Sequence, residues 1–167
     1  MILIGLGANL PSRYGAPEET LGAAVAALAA VGLKIVKVSS IWRSAPVPVS
    51  EQSWYCNAVV EVDTGSMSAA AVLALLQDVE NDFGRVRAER NAPRVLDLDL
   101  LVYHDEVYMD TGCIVPHPRM HQRAFVLKPL QEIAPTWKHP VLGLSVGDLI
   151  EKMPEGQGIE ILQILAA

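Results

Sequence analysis

Apolar positions recur along the chain with two different periods, and the switches between them lay out most of a fold. Residues 1 to 6 form an apolar run closed by Gly5-Leu6-Gly7-Ala8-Asn9, which predicts a first strand leading into a turn. Between Glu18 and Val31, an alanine-rich stretch places Leu21, Val25, Leu28 and Val31 at three- and four-residue spacings, so an amphipathic helix is expected, stopped by Gly32. Residues 33 to 42 alternate in part and predict a second strand. Arg43 to Trp54, with Pro46 and Pro48, predicts a loop. Tyr55 to Asp63 has the β-branched content of a third strand, in a hairpin-like antiparallel relation with the second.

After Thr64-Gly65-Ser66, Val72, Leu73, Leu76, Val79 and Phe83 form the stripe of a helix over 67–83, which Gly84 ends. Residues 95 to 103 read as a fourth strand. Its Leu100-Leu101-Val102 run predicts burial on both faces and an inner place in the sheet. A small peripheral β-pair is expected within 106–115, a rigid turn at Pro116-His117-Pro118, a helix over about 119–133 stopped by Pro135, a short helix near 145–152, and an apolar tail. The order β-α-β-β-α-β predicts an α+β fold, a two-layer ferredoxin-like sandwich with a mainly antiparallel sheet and helices packed on one face. With 167 residues, 51% of them hydrophobic, the sequence suits one core and a single domain over 1–167.

A net charge of −6 argues against general nucleic-acid affinity, while leaving room for a local cluster of opposite sign. Cys56 and Cys113 do not make a disulfide framework, the apolar start lacks a basic leader, and no stretch reaches membrane-spanning length. A soluble cytoplasmic protein is expected.

Chemistry concentrates around Arg94-Val95-Leu96-Asp97-Leu98-Asp99. On a strand Asp97 and Asp99 emerge on one face and Leu96, Leu98 and Leu100 on the other, so the two carboxylates can converge on one or two divalent cations. Upstream, Arg85, Arg87, Arg90 and Arg94 stand within ten positions, and planar guanidinium groups suit a polyphosphate. The bland readings are a solvated strand face and a salt-bridged surface loop. His117 and Arg123, across a proline turn, are further donors for a phosphate chain, and Gln77 and Glu80 sit late on their helix, near enough to face the same cleft. Tyr55 and Phe125 read first as core aromatics; with Asn57 they would also suit a flat heterocycle rich in donors and acceptors. The third glycine of a dinucleotide fingerprint, a Gly-rich Lys-Ser/Thr phosphate loop and a zinc pattern are all absent.

These motifs together resemble the 6-hydroxymethyl-7,8-dihydropterin pyrophosphokinase family of folate biosynthesis. The resemblance runs from Ile2 to about Ile150, through Gly7-Ala8-Asn9, Val38-Ser39-Ser40, Arg43-Ser44, Tyr55-Cys56-Asn57-Ala58, Gly84-Arg85-Val86-Arg87, Pro93-Arg94-Val95-Leu96-Asp97-Leu98-Asp99, Val115-Pro116-His117 and Arg123-Ala124-Phe125. It implies transfer of pyrophosphate from the co-substrate ATP to the pterin hydroxymethyl group, with Asp97 and Asp99 holding two Mg²⁺ ions. It also implies nucleotide or pyrophosphate contacts from Gln77, Glu80, Arg85, Arg87, Arg94, His117 and Arg123, with Arg85 and Arg94 sharing catalysis with the two aspartates. The pterin would stack between Tyr55 and Phe125, lined by Ser44, Val47 and Asn57, under mobile loops at about 10–17, 43–54 and 84–94.

Three departures stand out from that pattern: Asn91-Ala92 in place of an aromatic and glycine, Pro118 in place of an aromatic, and a glycine-poor Ala45 to Ser50. The expected partners are the two small substrates, with no nucleic acid and no membrane, in a monomer or a weak homodimer. An RNA-binding module or a metal-dependent regulatory module without turnover is the alternative.

Overall fold

The computed structural model describes residues 1–46, 48, 50–84, 94–110 and 112–164. Within them a six-stranded sheet is built from β1 (Ile2–Ala8), β2 (Lys34–Val38), β3 (Ile41–Ser44), β4 (Tyr55–Asp63), β5 (Asp97–Tyr103) and β8 (Ile159–Gln163). The strand order is β5-β1-β4-β3-β8, with β2 also paired to β4, and every pairing is antiparallel. A separate hairpin joins β6 (Tyr108–Asp110) to β7 (Cys113–Val115), where the sequence predicts a peripheral β-pair.

Two helices cover one face, as the β-α-β-β-α-β order predicts. Helix α1 (Pro17–Ala30) starts on a proline whose missing N–H is no loss there, and Glu19 accepts from the Ala16 amide at 2.7 Å. Helix α2 (Ala69–Asp82) is capped by Ser68, whose hydroxyl accepts from Ala71 N–H at 3.2 Å. Leu21, Leu28, Val72, Leu76 and Val79 from these helices pack on Ile4, Leu6, Ala58, Val60, Leu98 and Leu100 of the sheet. The opposite face carries a second core, beyond what the sequence order implies. Helices α3 (Ala124–Ile133) and α4 (Val146–Lys152) bury Val126, Leu127, Leu130, Val146 and Leu149 against Leu3, Val59, Leu101 and Val102.

Several boundaries differ from expectation, each for a local reason. The strand expected over 33–42 is interrupted at Ser39-Ser40 and continues through Arg43 and Ser44. There the Ser39 hydroxyl accepts from Val59 N–H at 2.9 Å, and Glu132 of α3 accepts from Ser40 N–H at 2.9 Å and from its hydroxyl at 2.6 Å. The helix expected over 119–133 divides into a 3₁₀ turn (Met120–Gln122) and α3, with Arg123 extended between them. The apolar tail forms strand β8, tied to β3 by an Arg43–Glu160 ion pair.

Strand β5 lies at the sheet edge, not inside it as its apolar run suggests. The run reports burial on both faces: Leu98 and Leu100 belong to one core, Leu101 and Val102 to the other. Its outer edge is covered by specific groups. Leu98 N–H donates to Glu80 at 3.0 Å and Leu101 C=O accepts from His117 N–H at 2.9 Å.

Candidate active site

On the α3 face, three strands present a row of residues with a bare centre. Asp97 lies opposite Gly7, and Gly7 opposite Asn57; Asp99 lies opposite Gly5, and Gly5 opposite Val59. Asp97 and Asp99 therefore sit two strands away from Asn57, roughly 10 Å at ordinary strand spacing. The glycines keep the intervening floor flat: a Cβ on Gly7 would stand 3.4 Å from Asn57 Oδ1, and one on Gly5 3.3 Å from Leu101 Cδ1. Above this floor is a cleft of about 800 Å³, walled by the loop after β3, the start of α3 and the segment before β8.

One end of the cleft is cationic. Arg94 donates to Asp97 at 2.9 Å with both side chains 28% exposed, and Arg119, Arg123 and His117 join them along the wall. The His117 Nδ1 accepts from Arg119 N–H at 3.1 Å, which leaves the ring proton on Nε2. Burial, then the charges of Arg123 and Arg119, lower the His117 pKa to about 4 against the opposing pull of Asp97. Near neutral pH the ring is a neutral N–H donor.

The other end is polar and aromatic. Asn57 is buried and donates to Ser44 Oγ at 2.7 Å, and both residues line the cleft. Tyr55 and Phe125 line the same space, and the Arg123 guanidinium lies 5.3 Å from the Phe125 ring centroid. Burial raises the Tyr55 pKa, with Arg94 opposing and Asp97 reinforcing the shift. A planar, hydrogen-bonding ligand at this end would reach the carboxylates and arginines with an attached anionic group.

Nine residues singled out from the sequence thus meet in one cleft: Ser44, Tyr55, Asn57, Arg94, Asp97, Asp99, His117, Arg123 and Phe125. Val47, Arg85 and Arg87 lie outside the described residues. Gln77 and Glu80 are not among the residues that line this cleft. Gln77 is exposed on α2, and Glu80 is buried on the α2 side of the sheet with its carboxylate on the Leu98 amide, because their helix packs on the face opposite Asp97 and Asp99.

Other contributors were not picked out by residue chemistry. Asn9, 2% exposed, accepts from Arg94 N–H at 2.9 Å and donates to Gln52 Oε1 at 3.2 Å and Ser53 C=O at 3.3 Å, joining three loops around the cleft. Glycines inside β1 were the available signal for a close-approach floor. Gln157, from the tail, had no local signal.

Among the described residues no group of three or more His, Cys, Asp and Glu side chains gathers as a metal cage. Two half-buried carboxylates on one strand face, beside arginines, fit a hard cation that takes its remaining oxygens from phosphate and water, as Mg²⁺ does.

The family model described as 7,8-dihydro-6-hydroxymethylpterin-pyrophosphokinase (HPPK) matches residues 3–135. The chain is 42% identical over 131 residues to the 2-amino-4-hydroxy-6-hydroxymethyldihydropteridine pyrophosphokinase of Bacillus subtilis, covering 78% of this chain and 75% of that one. It is 37% identical over 166 residues to the protein of the same name from Synechocystis, covering 95% and 82%. It also resembles the folic acid synthesis protein fol1 of Pneumocystis carinii, at 36% identity over 91% of this chain but only 20% of that longer protein. In three dimensions it is similar to wild-type Plasmodium falciparum HPPK-DHPS, with a TM-score of 0.68 and 13% identity, over 90% of this chain and 44% of that one.

Proposed function

The chain belongs to the 7,8-dihydro-6-hydroxymethylpterin-pyrophosphokinase family of folate biosynthesis, and we propose that its cleft between β5 and α3 is where that chemistry takes place. The activity is an ATP-dependent pyrophosphokinase reaction: the pyrophosphate of ATP passes to the hydroxymethyl group of 6-hydroxymethyl-7,8-dihydropterin, giving AMP and the pterin diphosphate. The observation that carries the reading is the convergence of Asp97 and Asp99, the cationic group of Arg94, His117 and Arg123, and the polar-aromatic end of Tyr55, Asn57 and Phe125 on one glycine floor.

In this reading the pterin lies between Tyr55 and Phe125, its donors and acceptors met by Asn57 and the Ser44 edge, with Val47 in the adjoining loop. The hydroxyl oxygen attacks the β phosphorus while the bond from that phosphorus to the α–β bridging oxygen breaks, and AMP leaves. Arg94, Arg123 and the His117 Nε2–H hold the charge that spreads over the transferred group, together with Arg85 and Arg87. Asp97 and Asp99 hold two Mg²⁺ ions, which when bound offset phosphate charge and fix its orientation. In the same scheme Asp97 also takes the hydroxyl proton. No protein nucleophile is required. Gln77 and Glu80 contribute to nucleotide contact from the C-terminal part of α2, and Glu80 also holds the amide of Leu98 between the two aspartates.

The described residues of this scheme that line the cleft come from one chain, which supports a monomer as the working unit. Residues 1–167 act as one pyrophosphokinase domain, since α4 packs on α3 and β8 pairs with β3 beyond the matched residues 3–135. An RNA-binding role is disfavoured because α3 and α4 cover the sheet face on which bases would stack. Among the described residues no helix is long and apolar enough to cross a membrane.

Phosphorus NMR of the protein with ATP, Mg²⁺ and 6-hydroxymethyl-7,8-dihydropterin tests the reaction. AMP and the pterin diphosphate should appear together, and only with the pterin present. ADP as product, or no turnover by folded protein, would overturn the reading.

A further inference from the structure

Pro154 to Gly158, beyond the family-matched residues 3–135, form one wall of the cleft, and one side chain in this segment grips the backbone that carries Arg123. Arg123 is extended, with φ −114° and ψ 112°, between the 3₁₀ turn and α3. Both peptide units flanking it are bound by Gln157. Its Oε1 accepts from Ala124 N–H at 2.9 Å, and its Nε2 donates to Gln122 C=O at 2.9 Å. The same nitrogen also donates to Pro154 C=O at 3.0 Å, closing the segment on itself.

A primary amide carries one oxygen acceptor and two N–H donors, and here all are engaged. The first amide of α3 lacks a side-chain cap from its own N-terminus, and Gln157 supplies the missing acceptor. At the far end of the segment, Gly158 C=O accepts from Ala45 N–H at 3.1 Å. The segment thus runs from the Ser44–Ala45 wall to the Arg123–Phe125 wall and sets the distance between them.

We propose that Gln157 is a positioning residue for pyrophosphoryl transfer: by bracketing both peptide units of Arg123 it aims the guanidinium into the cleft. This rests on the reading of the cleft as the transfer site. The interruption at Arg123 then has a cause and a use. A helix continuing through residue 123 would turn its side chain with the helical period, whereas the extended residue leaves it lining the cleft beside Phe125.

A double-mutant cycle tests this, using Gln157→Leu, Arg123→Ala and the double variant of the full chain, with steady-state kinetics and thermal melting for each. Gln157→Leu should lower kcat/KM by roughly tenfold or more, the scale on which misplacement of a group acts. In the Arg123→Ala background the same change should cost less than about threefold, since the group it aims is gone. A structural role alone would lower activity by the same factor in both backgrounds and would overturn the proposal, as would full activity of Gln157→Leu. Full activity of Arg123→Ala would instead bring down the assignment of Arg123, and the proposal with it. Should Gln157→Leu fail to fold, Gln157→Glu keeps the acceptor for Ala124 N–H and removes the donors to Gln122 and Pro154. It should lose activity in the wild-type background only.

Discussion

The Glu80 carboxylate accepts the Leu98 amide at 3.0 Å, midway between Asp97 and Asp99 and on the other side of the sheet from them. Strand β5 is an edge strand, so this bond replaces the one a further strand would have made. Glu80→Ala should lower unfolding free energy by about 1–3 kcal/mol, the cost of leaving a buried amide unpaired. Turnover should fall with it, while Glu80→Gln, which keeps an acceptor, should recover most of both. Urea denaturation alongside kinetics checks this. A loss of ATP affinity with unchanged stability would leave Glu80 with nucleotide contact alone.

Asn9 binds the loop before β5 and the loop after β3 through one buried amide. Asn9→Ala should cost about 1–3 kcal/mol and raise the KM for both substrates, because both cleft walls lose a common anchor. Asn9→Asp keeps the acceptor for Arg94 N–H and loses the donors to Gln52 and Ser53. It should therefore spare the β5 side and loosen the other, which hydrogen exchange at residues 50–54 and 94–96 would separate.

Asp97→Asn and Asp99→Asn should each reduce turnover by at least about a hundredfold, as expected when charge stabilisation in the transition state is removed. Folding should persist, since both side chains are half-buried at a cleft and not in either core. Ligand linkage gives a second readout. Mg²⁺ with ATP should raise the melting temperature of the wild type and raise that of the variants far less. An equal rise would show that the aspartates do not hold the metal.

The sequence exposes what burial dictates and hides what hydrogen-bond partners dictate. Apolar spacing places α1 and α2 within a residue or two of their ends, because each needs one face on the sheet. The same spacing misplaces β5, since Leu100-Leu101-Val102 records two covered faces and is silent about a free edge. The breaks at Ser39-Ser40 and at Arg123 depend on Glu132 and Gln157, far along the chain, and no local pattern announces them. Strand β8 leaves most of its residues exposed, so it lacks alternation to read. In the site, Asp97, Asp99, Arg94, His117 and Asn57 are legible because charged or amide groups beside apolar runs require a reason. Asn9 and Gln157 are polar residues in loops, and only their contacts give them a role.

His117 offers a pH test whose sign is fixed by its surroundings. Its folded pKa, lowered to about 4 by burial and by Arg123 and Arg119, lies below the ordinary histidine value of 6.5. As pH falls below about 6.5 the unfolded chain takes up a proton that the folded ring refuses until about pH 4, so stability declines across that window and is unaffected above it. The decline from this residue is at most about 3 kcal/mol, and less because the ring is partly solvated. His117→Asn should flatten that part of the stability profile. Activity should carry no inflection from His117 near pH 6.5, because the neutral Nε2–H donor persists well below it. The Cε1 proton shift of His117, followed by NMR from pH 7.5 to 4, should stay level to about pH 5. A midpoint near 6.5, matched by an inflection in kcat that disappears in His117→Asn, would show a charged ring at work and overturn the neutral-donor role.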